Sequence, residues 1–219
     1  ADFFGLVFQV NPAVLIPRQE TEELVAWVLE HLRHLDTDNH VSLLDIGLGS
    51  GCIGITLKKK FPRLQLLGLE KSADALSVAT RNAQQILGAS ADFQFLQGDI
   101  LETSDWQAFS ALDVIVSNPP YIPLSEKELM PEHVLAHEPA PALFVSDEDS
   151  LVFYRTIADF ALEKLRPGGV LFFECNEFNT VKVAALLSEK GFQDIVLKKD
   201  ISGSDRMIRA LTRHYSYGA

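Results

Sequence analysis

The segment VSLLDIGLGSGC, residues 41–52, gives the strongest indication of the fold. It joins a short apolar segment, 41–46, to a loop with glycines at 47, 49 and 51, and we expect a helix to follow and to end near residues 58–60. Glycine lets the backbone come close to a ligand that a Cβ atom would exclude. A strand, a glycine loop and a helix in this order indicate a parallel α/β sheet that binds a cofactor at the end of its first strand.

Segments of the same kind follow outward from this stretch. Short apolar runs bounded by Gly, Pro or charged residues predict further strands at residues 64–69, 93–96, 112–116 and 170–174. Apolar residues at helical spacing predict helices at 20–35, 73–87 and 151–165. Because strands and helices alternate, the sequence predicts an α/β fold with a doubly wound, mostly parallel sheet. Residues 194–199 and 207–211 are expected to close this sheet as a hairpin, with an antiparallel C-terminal strand at its edge.

Two further segments complete the predicted organisation. Residues 1–36 are expected to contribute a short strand, 6–10, and a helix, which pack on a catalytic domain formed by residues 37–219. Residues 123–149 contain Pro131, Pro139 and Pro141, so we predict a long irregular insertion there. Loops of this length in a compact domain usually cover or bind a ligand, and we expect this one to be the substrate loop.

Composition limits the kinds of partner. With 219 residues and 47% hydrophobic content, the chain can bury one substantial core. No apolar run approaches the ~20 residues of a membrane span, and the first residues lack the basic flank of a signal peptide, so we expect a cytoplasmic protein without a membrane partner. The 30 acidic and 19 basic residues give a net charge of −11, which disfavours direct binding of nucleic acid.

The sequence does not predict a metal site. His133 and His137 stand four residues apart beside Glu138, but prolines on both sides disfavour the helix that would bring the two imidazoles together. Cys52 and Cys175 lie far apart and lack the Cys-x-x-Cys spacing, so neither a zinc site nor a disulfide framework is indicated.

Glu70 is the second signal for a cofactor. It ends the second predicted strand about 20 residues after the glycine loop, where a carboxylate can accept hydrogen bonds from both hydroxyls of a ribose. Together with the loop it indicates a cofactor that contains adenosine. Glycines at 49, 51 and 54 also fit the dinucleotide fingerprint, so the loop alone leaves NAD and S-adenosylmethionine open.

The most informative motif is Asn118-Pro119-Pro120-Tyr121, directly after the apolar run 112–117. Proline fixes its own φ and keeps the preceding residue extended, so the strand should end in a rigid ledge. There the Asn118 side-chain oxygen and the Pro119 carbonyl can accept two hydrogen bonds from one planar NH2 group. Tyr121 offers a flat wall for the planar group that carries this nitrogen.

This ledge separates the two cofactors. Hydride transfer needs a group that moves a proton, and none is organised beside Asn118. Methyl transfer needs mainly positioning, because the sulfonium is already a good leaving group. By accepting the NH2 protons, Asn118 and Pro119 would orient the nitrogen and stabilise the positive charge that develops on it. The motif therefore favours S-adenosylmethionine.

With these motifs the chain closely resembles the protein-(glutamine-N5) methyltransferases that modify peptide chain release factors, a branch of the class I S-adenosylmethionine-dependent methyltransferases. The resemblance runs from Phe3 to about Arg209. It is carried by residues 14–22 (VLIPRQETE), 45–51 (DIGLGSG), 97–99 (QGD), 116–122 (VSNPPYI), 137–139 (HEP), 142–144 (ALF) and 200–206. The ordered set is specific, although each motif alone is not.

The resemblance implies a seven-stranded sheet that binds S-adenosylmethionine and releases S-adenosylhomocysteine. It implies cofactor contacts from Gly47, Leu48, Gly49, Ser50 and Gly51 to the methionine part, from Glu70 to the ribose, and from Asp99 and Ile100 near the adenine. It further implies that Asn118, Pro119, Pro120 and Tyr121 receive the glutamine of a release factor's Gly-Gly-Gln loop, with Asn118, Pro119 and Tyr121 catalytic and Asn118 also beside the cofactor. We expect a monomer.

Several positions depart from the family's usual residues. Leu48 stands where Thr is usual, Gln19 where Pro is usual, and Ile100 where some members have an aromatic residue. Glu70 replaces the commoner Asp. None removes a group that the chemistry needs, so we expect them to affect affinity more than activity. Family members usually carry an N-terminal helical domain that helps to recognise the release factor, so we expect this chain alone to bind its protein substrate weakly.

Other functions stay open at this stage. An adenine-N6 methyltransferase on DNA or RNA would hold the same planar NH2 group, although the charge argues against it. A methyltransferase for a glutamine in a ribosomal protein would also fit, and only residues 18–22 favour the release factor. A catalytically silent cofactor-binding module would bind S-adenosylmethionine without transferring its methyl group, whereas a dehydrogenase would bind NADH instead.

Overall fold

A seven-stranded sheet forms the centre of the protein, shown here by a computed structural model that describes residues 1–35, 40–88, 91–129 and 138–213. The strands in these ranges are β1 (Asp2–Phe3), β2 (Leu6–Val7), β3 (Val41–Ile46), β4 (Leu64–Glu70), β5 (Phe93–Gln97), β6 (Leu112–Ser117), β7 (Ile122–Pro123), β8 (Phe144–Val145), β9 (Leu165–Glu174), β10 (Gln193–Lys199) and β11 (Asp205–Leu211). The central sheet has the order β10-β11-β9-β6-β3-β4-β5. Strands β3, β4, β5, β6 and β9 are parallel, which confirms the predicted fold class.

Helices cover both faces of this sheet. They are α1 (Gln19–His34), α2 (Cys52–Lys60), α3 (Ala73–Leu87), Ala140–Leu143, Val152–Lys164 and Thr180–Glu189, with 3₁₀ turns at Thr103–Ala108 and Leu124–Leu129. Along β6, Ile115 belongs to one core cluster while Val114 and Val116 belong to the other, because successive side chains of a strand point to opposite faces. The helix Thr180–Glu189 has no counterpart among the sequence predictions.

The predicted antiparallel hairpin closes one edge of the sheet, and within it the C-terminal strand β11 lies inside while β10 forms the edge. Strand β11 pairs antiparallel with β9 on one side and with β10 on the other. Burial explains the order: Met207, Ile208 and Ala210 of β11 are fully buried, whereas β10 is mostly exposed and ends in Lys198 and Lys199. An exposed edge strand with charged side chains is protected from pairing with another chain.

The segment 123–149 is more ordered than the sequence predicted. Its described parts contain the 3₁₀ turn Leu124–Leu129, the helix Ala140–Leu143 and strand β8, which pairs in parallel with β7. Asp147, which follows β8, is bonded to this 3₁₀ turn, because its Oδ1 accepts hydrogen bonds from the Ser125 backbone N–H (2.9 Å) and hydroxyl (2.7 Å). Residues 130–137 of the predicted substrate loop, with His133 and His137, lie outside the described residues.

The first residues pack on the rest of the fold. The predicted strand 6–10 is shorter in the structure, where Leu6–Val7 pairs with Asp2–Phe3 in a hairpin. Buried Leu24, Val28 and Leu32 of α1 join the same core cluster as Phe172 of β9. Within the described ranges, no helix has both the length and the apolar character that a membrane crossing requires.

Candidate active site

The predicted site residues lie together at the carboxyl ends of the parallel strands, which we call the carboxyl edge of the sheet. Strands β3, β4, β5 and β6 are mutually aligned and parallel, so the residues that follow their carboxyl ends lie side by side. These residues are the glycine loop 47–51 after β3, Glu70 at the end of β4, Asp99 and Ile100 after β5, and 118–121 after β6. Open α/β sheets bind their ligands at this edge.

The glycine loop places its backbone beside open space. Gly47 and Gly49 have φ values of +77° and +53°, a region that favours glycine, and a Cβ built on either meets no atom within 4 Å. Gly51 is glycine for a different reason, since a Cβ there would lie 2.5 Å from Ile55 Cδ1 in α2. The loop thus leaves space at 47 and 49, and it packs closely at 51.

Three residues predicted to contact the cofactor have buried side chains. Leu48 is 4% exposed and lies against Gly68 of β4, and Ser50 is 2% exposed. Ile100 is 6% exposed, and its carbonyl accepts a hydrogen bond from Trp106 Nε1 at 2.8 Å. Contacts from Leu48 and Ser50 to a ligand would therefore come from their backbone atoms.

Glu70 fastens the glycine loop to β4. Its Oε2 accepts a hydrogen bond from the Gly49 N–H at 2.9 Å, and its Oε1 accepts one from the Ser72 N–H at 2.9 Å. Each carboxylate oxygen has a further lone pair. The carboxylate can therefore hold the loop and still accept hydrogen bonds from a ligand, as the predicted ribose contact requires.

Asp99 is fixed where β5 ends. Its Oδ2 pairs with Lys71 Nζ at 2.8 Å, and its Oδ1 accepts the Leu101 N–H at 3.0 Å. Its own N–H donates to Asp105 Oδ2 at 2.9 Å. These contacts hold Asp99 and Ile100 beside the end of β4, where an adenine contact was predicted.

Asp45, which was not among the predicted site residues, is a buried carboxyl group beneath the glycine loop. It is 1% exposed, and its Oδ2 accepts the Gly54 N–H of α2 at 2.9 Å. Burial raises its pKa to about 8, the Gly54 hydrogen bond acts in the opposite direction, and the charge of Glu70 adds to the increase. Asp45 therefore joins β3 to the first turn of α2.

The Asn118–Tyr121 segment begins where β6 touches β3. The Ser117 hydroxyl donates to the Ile46 carbonyl at 2.7 Å, directly before the glycine loop. Pro119 is buried, while Asn118, Pro120 and Tyr121 are partly buried. Burial raises the pKa of Tyr121 to about 12, with a further contribution from Glu174, so the phenol stays neutral at physiological pH.

Glu174 is a second buried acid that the sequence prediction missed. It ends β9, is 3% exposed, and accepts a hydrogen bond from Thr21 Oγ1 of α1 at 2.7 Å. Its carboxyl group also lies near the Asn118 side chain. Burial raises its pKa to about 7, against the lowering effect of Thr21 and of the Arg206 charge. A single Glu at the end of the otherwise apolar run VLFFE was the signal that could have revealed it.

Two ion pairs stand near Tyr121. Arg206 Nε donates to Asp200 Oδ2 at 3.0 Å, and the Arg18 guanidinium pairs with Glu138. The charges of both arginines act on the Tyr121 phenol. Among the residues described, no group of three or more His, Cys, Asp or Glu side chains could hold a metal ion.

This fold and this set of site residues are those of a class I methyltransferase: a parallel α/β sheet with a glycine loop after its first parallel strand, an acidic residue at the end of the second, and Asn-Pro-Pro-Tyr after the fourth. The family model "Methyltransferase small domain" matches residues 28–144.

Curated relatives show which family of this class the chain belongs to. The chain is 44% identical over 207 residues to the release factor glutamine methyltransferase of Flavobacterium psychrophilum, covering 94% of this chain and 71% of that protein. It is 41% identical to the one from Bacteroides thetaiotaomicron, covering 96% of this chain and 72% of that protein. The chain therefore belongs to the release factor glutamine methyltransferase family.

Solved structures support the fold. A release factor-specific protein-(glutamine-N5) methyltransferase from Alicyclobacillus acidocaldarius matches with a TM-score of 0.54 at 24% identity, over 94% of this chain and 99% of that chain. A methyltransferase from Pyrococcus furiosus matches with a TM-score of 0.64 at 16% identity, over 96% of this chain and 90% of that one. At these identities the likeness concerns the fold alone.

Proposed function

We propose that this chain transfers the methyl group of S-adenosylmethionine to the side-chain amide nitrogen of the glutamine in the Gly-Gly-Gln motif of peptide chain release factors. The observation that carries this proposal is the 2.7 Å hydrogen bond from Ser117 Oγ to the Ile46 carbonyl. It fixes the start of the Asn118–Tyr121 segment against the start of the glycine loop. A planar amide held by Asn118 and Pro119 would then lie beside a cofactor held by the loop.

The residues at the sheet edge fit S-adenosylmethionine. Gly47 and Gly49 leave space for a ligand along the loop backbone, and Glu70 has acceptor capacity for a ribose diol. We assign the methionine part to Gly47, Leu48, Gly49, Ser50 and Gly51, the ribose to Glu70, and the adenine to Asp99 and Ile100. When bound, the cofactor supplies an electrophilic methyl group on a sulfonium that leaves as a neutral thioether.

The protein's own part in the reaction is to hold the amide. Asn118 Oδ1 and the Pro119 carbonyl accept the two N–H groups, which fixes the nitrogen and stabilises the positive charge that develops on it. Pro120 keeps this segment extended, and the neutral Tyr121 ring lies beside the amide plane. The N–C bond forms as the S–C bond of the sulfonium breaks, and the nitrogen releases one proton to water, so the product amide keeps a single N–H.

A competing function is methylation of adenine N6, because its exocyclic NH2 has the same planar geometry. The net charge of −11 disfavours it, since binding to phosphates relies on an excess of Lys and Arg. A ribosomal protein glutamine and a silent cofactor-binding module are the other rivals. We further propose that the enzyme is cytoplasmic and monomeric, and that it binds neither nucleic acid nor a membrane.

A methyl-transfer assay with labelled S-adenosylmethionine tests the proposal. The substrates are a full-length release factor, its Gly-Gly-Gln variant with Gln changed to Ala, and an adenine-containing oligonucleotide. We expect label on the unaltered factor alone, and a loss of about 10²–10³ in kcat for Asn118→Ala. Gln94→Ala, which removes an exposed amide from β5, is the matched control. Label on the altered factor or the oligonucleotide would exclude the proposed target, and full turnover by Asn118→Ala would exclude the proposed site.

A further inference from the structure

Asn118 and Glu174 are neighbours at the carboxyl edge of the sheet. In the parallel pairing of β6 with β9, Ser117 lies opposite Phe173, so the next residue of each strand follows side by side. The Asn118 side chain lies near the Glu174 carboxyl group and acts to lower its pKa. Because Glu174 is only 3% exposed, this contact is shielded from solvent and little water competes for it.

Other elements hold Glu174 in place. Thr21 of α1 donates its hydroxyl to Glu174 Oε2 at 2.7 Å, in a buried hydrogen bond that joins residues 153 positions apart in sequence. The Tyr154 hydroxyl of the helix Val152–Lys164 donates to the Glu174 carbonyl at 3.1 Å. The acid is therefore fixed by its backbone and by one carboxylate oxygen, and its hydrogen-bonding capacity also serves Asn118.

An asparagine that binds an NH2 group has to present the correct end of its own carboxamide. Rotation by 180° exchanges its oxygen with its nitrogen at almost no steric cost, but only the oxygen accepts a hydrogen bond from the substrate. An ionised carboxylate is purely an acceptor, so it bonds to the NH2 end of Asn118 and turns the oxygen away from itself. A contact of this kind selects the productive orientation.

We propose that Glu174 is a positioning residue for methyl transfer: its carboxylate accepts an N–H of the Asn118 carboxamide and thereby presents the Asn118 oxygen to the substrate amide. This role rests on the proposed function. Thr21 then acts indirectly, by orienting the Glu174 carboxylate through its hydrogen bond.

Protonation of Glu174 would weaken this selection, because a carboxylic acid has an O–H donor that can bond to the oxygen of Asn118 instead. Burial raises the pKa of Glu174 to about 7, so its charge changes near neutral pH. The titratable and charged groups that face it are Glu20 of α1, Cys52 of α2, Tyr121, Tyr154, Cys175 and Arg206. Burial raises the pKa of Tyr121 and of Cys52 to about 12, so neither titrates in the same range.

The first test is the pH profile of kcat with a release factor as substrate. We expect the wild-type kcat to fall as the pH is lowered through about 7, and we call this fall the acidic limb of the profile. Glu174→Gln keeps an acceptor for Asn118 without a titrating proton, so its kcat should stay within about tenfold of wild type and lose this acidic limb. Glu174→Ala should lose about 10²-fold in kcat with an unchanged KM for S-adenosylmethionine. An acidic limb that survives in Glu174→Gln, or wild-type kcat in Glu174→Ala, would overturn the role of Glu174.

Two further variants separate positioning from loss of stability. Thr21→Val removes a hydrogen bond that lowers the pKa of Glu174 and keeps the side-chain shape, so it should move the acidic limb to higher pH. Asp113→Asn removes a partly buried acid that pairs with Arg166 at the other end of β6. It should lower the melting temperature without changing the pH profile. An unmoved limb in Thr21→Val would contradict the proposed link.

A measurement without turnover keeps this inference separate from the proposed function. The side-chain amide signals of Asn118 in ¹H–¹⁵N spectra should shift with pH about a midpoint near 7 in the wild-type protein and not in Glu174→Gln. If the wild type methylates no release factor but these signals titrate, the proposed function fails and the Glu174 contact stands. If methylation occurs and the Asn118 signals do not respond to pH, the contact fails alone.

Discussion

The side chain of Leu48 lies directly on the α-carbon of Gly68, so that a Cβ added to Gly68 would stand 2.6 Å from Leu48 Cδ1 and 2.8 Å from its Cγ. This contact gives Leu48 a packing role. The glycine loop is therefore held to β4 by apolar contact as well as by the hydrogen bond from Gly49 to Glu70. A displacement of Leu48 should therefore also displace the glycine loop.

Gly68→Ala should weaken the binding of S-adenosylmethionine. The added methyl group displaces Leu48, and overpacking of a buried contact costs about 1–3 kcal/mol in the free energy of unfolding. Because Leu48 and Gly49 are adjacent, the displaced loop should bind the cofactor less tightly. Calorimetric titration and denaturant unfolding measure the two effects.

A double-mutant cycle identifies the contact responsible. Leu48→Ala alone leaves a cavity, at a cost of about 2–5 kcal/mol. In the double variant the methyl group introduced by Gly68→Ala occupies part of that space. The unfolding free energies lost in the two single variants should therefore add up to more than the loss in the double variant. Strict additivity would show that Leu48 and Gly68 act independently.

Glu70→Gln should reduce cofactor affinity by about tenfold, or ~1.4 kcal/mol. The glutamine has one acceptor oxygen where Glu70 uses two, for the backbone N–H groups of Gly49 and Ser72. Its NH2 group would then face one of these donors. Calorimetry with S-adenosylmethionine measures the change, and Gln94→Ala provides an exposed control on β5. Unchanged affinity would remove Glu70 from the proposed ribose site.

Asp45→Asn should flatten the pH dependence of stability. The pKa of Asp45 rises from 3.8 to about 8 on folding, so the stability it contributes is complete below pH 3.8 and is lost as the pH rises towards 8. Asparagine keeps an oxygen for the Gly54 N–H without carrying a charge. Glu174 contributes a slope of the same sign, which this variant leaves in place.

Denaturant unfolding at a series of pH values checks this expectation. The unfolding free energy of Asp45→Asn should fall less than that of wild type between about pH 4 and about pH 8. Asp92→Asn, at an exposed position before β5, should show the wild-type slope. Parallel curves for wild type and Asp45→Asn would exclude Asp45 as a source of the slope.

Apolar periodicity was sufficient to predict the parallel part of the sheet and the helices 20–35, 73–87 and 151–165. The order of the last two strands could not be read in this way, because a hairpin pattern does not say which of its strands pairs with β9. The helix Thr180–Glu189 was missed, and the ordered pieces near Asp147 depend on contacts from Ser125 that sequence spacing does not show.

Sequence reasoning selected candidate site residues where a local motif marks them, and it missed residues that only the fold brings to the same place. The glycine loop and Asn118-Pro119-Pro120-Tyr121 are continuous signatures. Glu174 and Thr21 are separated by 153 positions and meet only because α1 packs on β9. Asp45 belongs to a quoted motif, but its burial beneath α2 is a consequence of the fold. Their roles depend on tertiary contacts.

The Arg18–Glu138 pair joins the start of α1 to the segment that leads into the helix Ala140–Leu143. The Glu138 side chain is 2% exposed, whereas the Arg18 side chain is 41% exposed. Leu15 reinforces this junction by packing against buried Leu143 and Phe144. Because the Arg18 charge also acts on Tyr121, the junction lies near the proposed glutamine site.

Arg18→Ala should raise the KM for the release factor more than the KM for S-adenosylmethionine. It leaves the Glu138 carboxylate buried without its counter-charge, which we expect to cost about 1–2 kcal/mol of stability because solvent reaches the arginine. Glu138→Gln in the Arg18→Ala background removes the uncompensated charge, so it should restore stability. Steady-state kinetics and denaturant unfolding of the wild type, Arg18→Ala and the double variant test both effects. Equal KM values for the release factor in wild type and Arg18→Ala would show that this junction has no part in substrate binding.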